Sequence, residues 1–410
     1  MRHGRSGKRM QKADFVVIGG GVIGISIARE LKRRYEDSRI VLLEKEAKCA
    51  EHASGRNSGV LHAGFYYTAD SLKAAFTRDG NKELTEYCEN NSIPINKCGK
   101  LVVAKNKAEL ASLDELLLRA KKNGVLLQSV SIEEAKSIEP RAVTHERALF
   151  SPTTSSVNPI QVVECLERDA RKEGVEFHFN EQYLGKKKDN EILTSADVYE
   201  VDYVVNAAGL YADHVARDFG YSERYRILPF KGLYLYSDEP KGSIKTNIYP
   251  VPDLQNPFLG VHFTVAADNK VKIGPTAIPA FWRENYKGLS NFQLKEFAEV
   301  IVRELNLFAF SNFGFTKLAF EELRKYSRKH MVELATKLAE DVQVSDYTKW
   351  GKPGIRAQLV DVKSRKLEMD FVVEGDNKSM HVLNAVSPAF TCSMPFSRYV
   401  CDKIVNELKK

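Results

Sequence analysis

Phe15-Val-Val-Ile-Gly-Gly-Gly-Val-Ile-Gly-Ile-Ser-Ile-Ala28 is the stretch on which the fold of this chain turns. Phe15 to Ile18 is a short apolar run rich in β-branched residues, the pattern of a strand buried on both faces of a parallel sheet. Gly19, Gly21 and Gly24 follow as G-x-G-x-x-G. Behind them Ile25, Ile27, Ala28 and Leu31 form the apolar side of a helix, which runs out in the polar stretch Lys32 to Ser38. A second apolar strand, Arg39 to Leu43, ends on Glu44, twenty residues past Gly24.

Each part of that unit has a physical job. The first glycine makes the tight turn, the second lets backbone approach a pyrophosphate, and the third lets helix and strand pack closely. The helix start offers unpaired N–H groups and the positive end of its dipole to phosphates. Glu44 is placed to accept hydrogen bonds from ribose hydroxyls, and its charge disfavours a 2′-phosphate. The unit predicts a dinucleotide site with candidate contacts Gly19, Gly21, Val22, Ile23, Gly24, Glu44 and Lys45. Taken alone it does not separate NAD from FAD.

Composition narrows the class. A chain of 410 residues has room for two domains, or one with a large insertion, and for a full hydrophobic core. Hydrophobic residues at 43% and charged residues at 28% exclude a disordered or fibrous protein. The net charge of +7 is concentrated: Arg2, Arg5, Lys8, Arg9 and Lys12 precede the first acid, so the remaining chain is near neutral. Residues 1–12 are expected to be a disordered basic tail. No basic stripe interleaved with aromatics is present, so nucleic acid is not an expected partner.

The six cysteines form no C-x-x-C pair and no Cys/His run has zinc spacing, so reduced thiols and no metal are expected. The basic start followed by Phe15–Ala28 imitates a signal peptide, but the dinucleotide unit explains it better. At 14 residues that run is too short to span a bilayer. The expectation is a cytoplasmic protein, peripheral at most on the inner face of a membrane.

Three later segments discriminate between cofactors. His52-Ala-Ser-Gly-Arg-Asn-Ser-Gly-Val-Leu-His-Ala-Gly-Phe-Tyr-Tyr67 is a loop of small and polar residues. Tyr203-Val-Val-Asn-Ala-Ala-Gly209 is a strand running into small residues, where backbone can approach a ligand. Near the C-terminus stand Gly351-Lys-Pro-Gly-Ile-Arg-Ala-Gln358 and Asn384-Ala-Val-Ser-Pro-Ala-Phe-Thr-Cys-Ser-Met-Pro-Phe396. Pro395 is expected at the first position of a closing helix whose buried face carries Phe396, Tyr399, Val400 and Ile404.

With these segments the chain resembles the D-amino-acid-oxidase-like FAD-dependent oxidoreductases from about residue 13 onward. Within that family it is most similar to the L-2-hydroxyglutarate dehydrogenases/oxidases, above all over Ser54 to Tyr67. The resemblance implies FAD, with Ser54, Arg56, Asn57, Ser58, Ala208, Gly209, Ser387, Pro388, Ala389 and Phe390 as further contacts. The closing helix would point its positive end at the flavin and stabilise charge that develops on reduction. Lys352-Pro353 and Cys392 depart from the family's pattern, in place of a small polar pair and of Ser or Thr.

The middle of the chain reads as helices at Ala108 to Asn123 and from Asn158-Pro159 to Gly174, then as broken strands from about 225 to 285, then as helix from 290 to 340. The expected fold class is α/β, or α+β overall: a Rossmann-like FAD-binding domain with an inserted antiparallel β-sheet substrate domain. The expected boundaries are 13–85, 150–220 and 345–410 for the first, and 86–149 and 221–344 for the second.

The resemblance implies oxidation of a small dicarboxylate, L-2-hydroxyglutarate, to 2-oxoglutarate. Tyr249-Pro-Val-Pro-Asp253 and Leu259-Gly-Val-His-Phe263 belong to the same resemblance. Such a site needs cations for carboxylates and a group titrating near neutrality. The candidates are His62, His262, Tyr249, Lys231 and Arg356, with Arg356 as the carboxylate anchor because its planar fork matches a carboxylate. Either histidine could be the base. Electrons would pass to oxygen or to a quinone, the latter through contact with a membrane surface. An amine or amino-acid oxidase of the same fold, acting on a glycine- or sarcosine-like substrate, is the alternative.

Overall fold

The computed structural model describes residues 8–253, 260–310 and 315–410. Arg2 and Arg5 of the expected tail, and the Phe258-Leu259 start of one expected strand, lie outside that set.

The nucleotide unit forms as its pattern requires. Strand Met10–Ile18 lies parallel to both Ile40–Leu43 and Val198–Asn206, with Ile18 level with Leu43 on one side and Asn206 on the other. Ser379–Asn384 extends the parallel run beyond Val198–Asn206, and Glu176–His178 extends it beyond Ile40–Leu43. The first strand starts at Met10, inside the expected tail: Met10, Gln11 and Lys12 pair with Val198, Tyr199 and Glu200. These three residues are strand and not tail, because pairing to a long neighbouring strand orders them.

Four helices cover one face of this sheet: Val22–Arg34, Leu72–Asn90, Pro159–Lys172 and Ala389–Leu408. Val22–Arg34 buries Val22, Ile23, Ile25, Ile27, Ala28 and Leu31, and closes on Lys32, Arg33 and Arg34, which suit the negative end of its dipole. Asn158 caps Pro159–Lys172 by accepting from the Ile160 N–H (3.0 Å), and Pro159 takes the first helical position as predicted. Pro395 does not begin the last helix. That helix starts at Ala389, six residues earlier, and contains Pro395. Proline cannot donate to the Thr391 carbonyl one turn back. Gly80 of the facing helix lies against that carbonyl, where a Cβ would come within 2.3 Å of the oxygen.

An eight-stranded sheet stands beside this domain, in the order Lys349–Trp350, Leu235–Tyr236, Val271–Gly274, His262–Val265, Asn247–Pro250, Lys100–Val103, Arg147–Ser151, Gln128–Ser131. It is antiparallel, as expected, except at one seam, where Asn247–Pro250 runs parallel to Lys100–Val103. Strand side chains alternate between faces. Leu101, Val103, Ile248, Phe263, Val265 and Ile273 form a core with Met331, Val332 and Ala335 of the helix Arg328–Ala335. The opposite face carries Lys100, Val102, Asn247, Tyr249, His262, Thr264 and Lys272. It meets the loop after the second nucleotide strand: Val102 packs with Ala63, Phe65 and Tyr66, and the Lys272 ammonium donates to the Ser58 carbonyl (3.1 Å).

A smaller sheet connects the two. Tyr225–Gly232 pairs antiparallel with Gly354–Asp361 along its whole length, so that Phe230 is opposite Arg356 and Gly232 opposite Gly354. This ribbon joins a segment expected in the substrate domain to one expected in the nucleotide domain.

Candidate active site

Three backbone turns converge on one cavity. Gly19 turns with φ of +112°, and a Cβ there would stand 2.5 Å from the Ala207 carbonyl oxygen. Gly24 lies beneath, where a Cβ would be 2.0 Å from the Gly19 carbonyl oxygen. The loop after the second strand is tied to the first helix by Val22, whose N–H donates to Ser54 Oγ (2.9 Å). The Glu44 carboxylate accepts from the N–H groups of Gly20 (2.7 Å) and Glu46 (2.9 Å). Each carboxylate oxygen has a further lone pair for a ligand hydroxyl.

The cavity has a volume of about 780 Å³ and runs from the glycine turn to Arg356. Of the expected nucleotide contacts, Gly19, Gly21, Val22, Ile23, Glu44, Lys45, Ser54, Arg56, Asn57, Ser58, Ala208, Gly209, Ser387, Pro388, Ala389 and Phe390 line it. Gly24 does not, because its place is the helix–strand contact below. The first turn of Ala389–Leu408 opens onto the cavity without an acidic residue or side-chain cap. Its N–H groups and dipole therefore face whatever sits there.

Among the expected catalytic residues, His62, His262 and Arg356 form part of the wall. Tyr249 stands one layer back, stacked on His262 with ring centres 3.7 Å apart. Lys231 is not in the wall: its ammonium donates to Asn285 Oδ1 (3.2 Å). Lys352 and Pro353 also lie outside it, and Pro353 accepts from Arg56 (3.2 Å). Cys392 faces Thr77 in the helix core, where burial pushes its thiol up to about 12. These departures from the family's pattern do not touch the cavity.

The two histidines are held uncharged. Burial, then the charges of Lys100, His262 and Arg356, hold His62 well below the ordinary histidine range. Its backbone N–H donates to Thr391 Oγ1 (3.1 Å), which fastens it to the start of the C-terminal helix. Burial pushes His262 down to about 3, against the opposing bond to Gly260. The Gly260 carbonyl can only accept, so His262 Nδ1 (2.8 Å away) carries the hydrogen and Nε2 is left as an acceptor. Arg356 is half-buried beside them, near Tyr234 and Tyr67.

Sequence reasoning passed over Lys100, Lys272, Tyr234 and Thr391. The available signal was a lysine in an otherwise apolar strand, Lys100-Leu-Val-Val103 and Val271-Lys-Ile273, since a lysine in a buried strand position needs a reason. Lys45, expected as a nucleotide contact, also makes ion pairs. Although it lines the cavity, its ammonium bridges Glu46 (2.5 Å) and Glu284 (2.6 Å). His52 joins the same network, its Nε2 lying 2.9 Å from the Glu46 carboxylate.

The chain matches the model of the family "FAD dependent oxidoreductase" over residues 14–403. It belongs to that family. This FAD dependent oxidoreductase is 36% identical to the mitochondrial L-2-hydroxyglutarate dehydrogenase of Nematostella vectensis, over 95% of this chain and 90% of the relative. It is 33% identical to the L-2-hydroxyglutarate dehydrogenase of Escherichia coli K12, over 95% and 93%. Among solved structures it is similar to FAD-bound L-alpha-glycerophosphate oxidase from Mycoplasma pneumoniae, with a TM-score of 0.77 at 21% identity over 97% and 95% of the two chains. Glycine oxidase from Geobacillus kaustophilus has a TM-score of 0.72 at 17% identity, over 97% and 95%. At such identities the structural likeness shows the shared fold.

The residues present fit FAD. The glycine turn leaves no room for side chains, the acid follows the second strand, and the loop 52–62 and the C-terminal helix start complete a cleft of about 780 Å³.

Proposed function

We propose that this FAD dependent oxidoreductase oxidises L-2-hydroxyglutarate to 2-oxoglutarate. The observation that carries this reading is the meeting of a half-buried guanidinium, Arg356, with two uncharged imidazoles, His62 and His262, on the wall of the nucleotide cavity. The relatives at 33–36% identity, named L-2-hydroxyglutarate dehydrogenases, support the same substrate.

FAD bound in the cavity supplies the acceptor for the hydride leaving the hydroxyl-bearing carbon. The chain's own residues do the rest. Arg356 takes a substrate carboxylate in its planar fork and fixes the carbon's orientation. His62, neutral and anchored to Thr391, accepts the hydroxyl proton. His262, held flat by Tyr249 and by Gly260, shapes the wall beside it. The dry surroundings strengthen each of these interactions.

The electrons then leave to oxygen or to a membrane quinone. Exposed Leu294, Val302 and Leu305 on the helix Leu294–Phe310 support a peripheral contact for the second route. No helix among the described residues is long and apolar enough to cross a membrane.

The test is anaerobic titration of the FAD-loaded protein with L-2-hydroxyglutarate, with the D-enantiomer as control. Bleaching of the flavin by the L form alone is the expected result. Bleaching by glycine or sarcosine and not by the hydroxy acid would overturn the reading in favour of an amine oxidase.

A further inference from the structure

We propose that Lys100 is a positioning residue that gates the histidine pair: uncharged, it leaves His62 able to take the substrate's hydroxyl proton, and protonated, it opposes that uptake. The proposal rests on the assignment of His62 as the proton acceptor.

The placement follows from sheet register. Lys100 is aligned with Asn247 on one side and Ser151 on the other, near the middle of the eight-stranded sheet. Tyr249 is opposite Val102, and Ile248 opposite Phe263 puts His262 beside Tyr249. Residues two apart on a strand share a face, so Lys100, Tyr249 and His262 project the same way. The Lys100 amine is wholly buried and makes no hydrogen bond with the described residues. Ring centres of Tyr249, Tyr66 and Phe65 surround it at 4.5, 4.7 and 5.0 Å. His62 Nδ1 and Tyr66 Oη are buried nearby, also without a hydrogen-bond partner among the described residues.

The titratable and charged groups facing this box and its histidines are Cys98, Tyr66, Tyr67, Tyr234, Tyr249, His62, His262 and Arg356, with Lys272 farther along the same face. None is a carboxylate. Three aromatic faces partly compensate an ammonium, but burial without a counter-charge disfavours it. Burial accordingly pulls Lys100 down to about 7, with Cys98 opposing. Its charge in turn lowers both histidines. A proton moved onto His62 beside a charged Lys100 adds a second like charge to the standing one of Arg356, whereas beside a neutral amine only the Arg356 charge opposes it.

The test compares FAD-loaded wild type with Lys100→Met and Lys100→Gln in anaerobic flavin reduction by L-2-hydroxyglutarate, each rate taken relative to the same protein's rate at about pH 9. An amine titrating at about 7 is only about one-tenth neutral at pH 6, so both variants are expected to be about tenfold faster than wild type there. Lys100→Arg, always charged, is expected to lose the acid limb as well, with an absolute rate at about pH 9 below that of wild type. An acid limb unchanged in the neutral variants overturns the proposal.

Imidazole NMR of the oxidised holoenzyme needs no substrate. His62 and His262 are expected to titrate at higher pH in the neutral variants, and unchanged titration overturns the gating role. A wild-type flavin that L-2-hydroxyglutarate fails to reduce would overturn the substrate reading, and the NMR comparison would still decide the role of Lys100. If the variants fail to fold, isotope-labelled Lys100 in wild type is expected to titrate near 7. A value in the ordinary lysine range overturns the proposal.

Discussion

The imidazole of His262 lies on the ring of Tyr249, with centres 3.7 Å apart and planes inclined by 21°. The two come from neighbouring antiparallel strands and share the face turned toward the nucleotide domain. The stack and the Gly260 bond together fix how His262 meets the cavity. Tyr249→Phe keeps the stack and is expected to retain most of the flavin-reduction rate. Tyr249→Leu removes it and is expected to slow reduction by about two- to tenfold, from the ~0.5–1.5 kcal/mol that aromatic pairs contribute. Stopped-flow reduction by L-2-hydroxyglutarate measures both; equal rates would show that the stack does not orient His262.

His62→Gln removes the proposed proton acceptor without adding a charge. Reduction is expected to fall by about 10²–10⁴, the usual contribution of a general base, with bound FAD retained. Flavin absorbance of the purified variant and its single-turnover rate separate this from loss of cofactor. A rate within a few-fold of wild type would move the role to His262.

Arg356→Lys keeps a positive charge but loses the planar fork. A charge-assisted hydrogen bond lost with the fork is worth about 1.5–3 kcal/mol, so KM for L-2-hydroxyglutarate is expected to rise by about ten- to a hundredfold. Steady-state kinetics would show this as a change mainly in KM. An unchanged KM would mean that another cation binds the carboxylate.

Gly24→Ala places a methyl group 2.0 Å from the Gly19 carbonyl oxygen. Helix and strand must separate, at a cost of about 2 kcal/mol or more by the usual penalty for overpacking. The expected result is a lower melting temperature together with a reduced ratio of bound FAD to protein, since both depend on the same turn. A variant that melts and binds FAD like wild type would contradict the close packing.

Burial pushes His214 and His381 down to about 4 and His262 to about 3, and holds His62 well below its ordinary value. The unfolded chain therefore binds more protons than the native one below pH 6.5. Stability is fully present above that pH and is lost as pH falls toward 4, by up to about 1.4 kcal/mol per pH unit for each group. Urea unfolding at pH 7 and pH 5 is expected to show a clear loss at pH 5, and equal stabilities would show that these histidines are charged in the native state.

The nucleotide half was legible because its determinants are local. The glycine turn, the acid at the end of the second strand, the Asn158 cap and Pro159 act within a few residues of themselves, and backbone sterics decide their geometry. Where a local rule met a tertiary contact, the contact prevailed. Met10–Lys12 became strand against Val198–Glu200, and Pro395 was absorbed into a helix because Gly80 packs on the Thr391 carbonyl.

By itself, the sequence pointed to an FAD-type nucleotide domain with a β-rich insertion and named part of the lining of its cleft. Which way each strand residue points was decided only by the tertiary structure. Lys231 and Arg356 sit on paired strands, yet one reaches Asn285 and the other the cavity. Tyr249 went behind His262, and Lys100, passed over in the sequence, came to share a sheet face with both. The physical reason is that a strand's side chains alternate between faces, so register with a distant partner, set by hydrogen bonds across more than a hundred residues of chain, determines which of them meet.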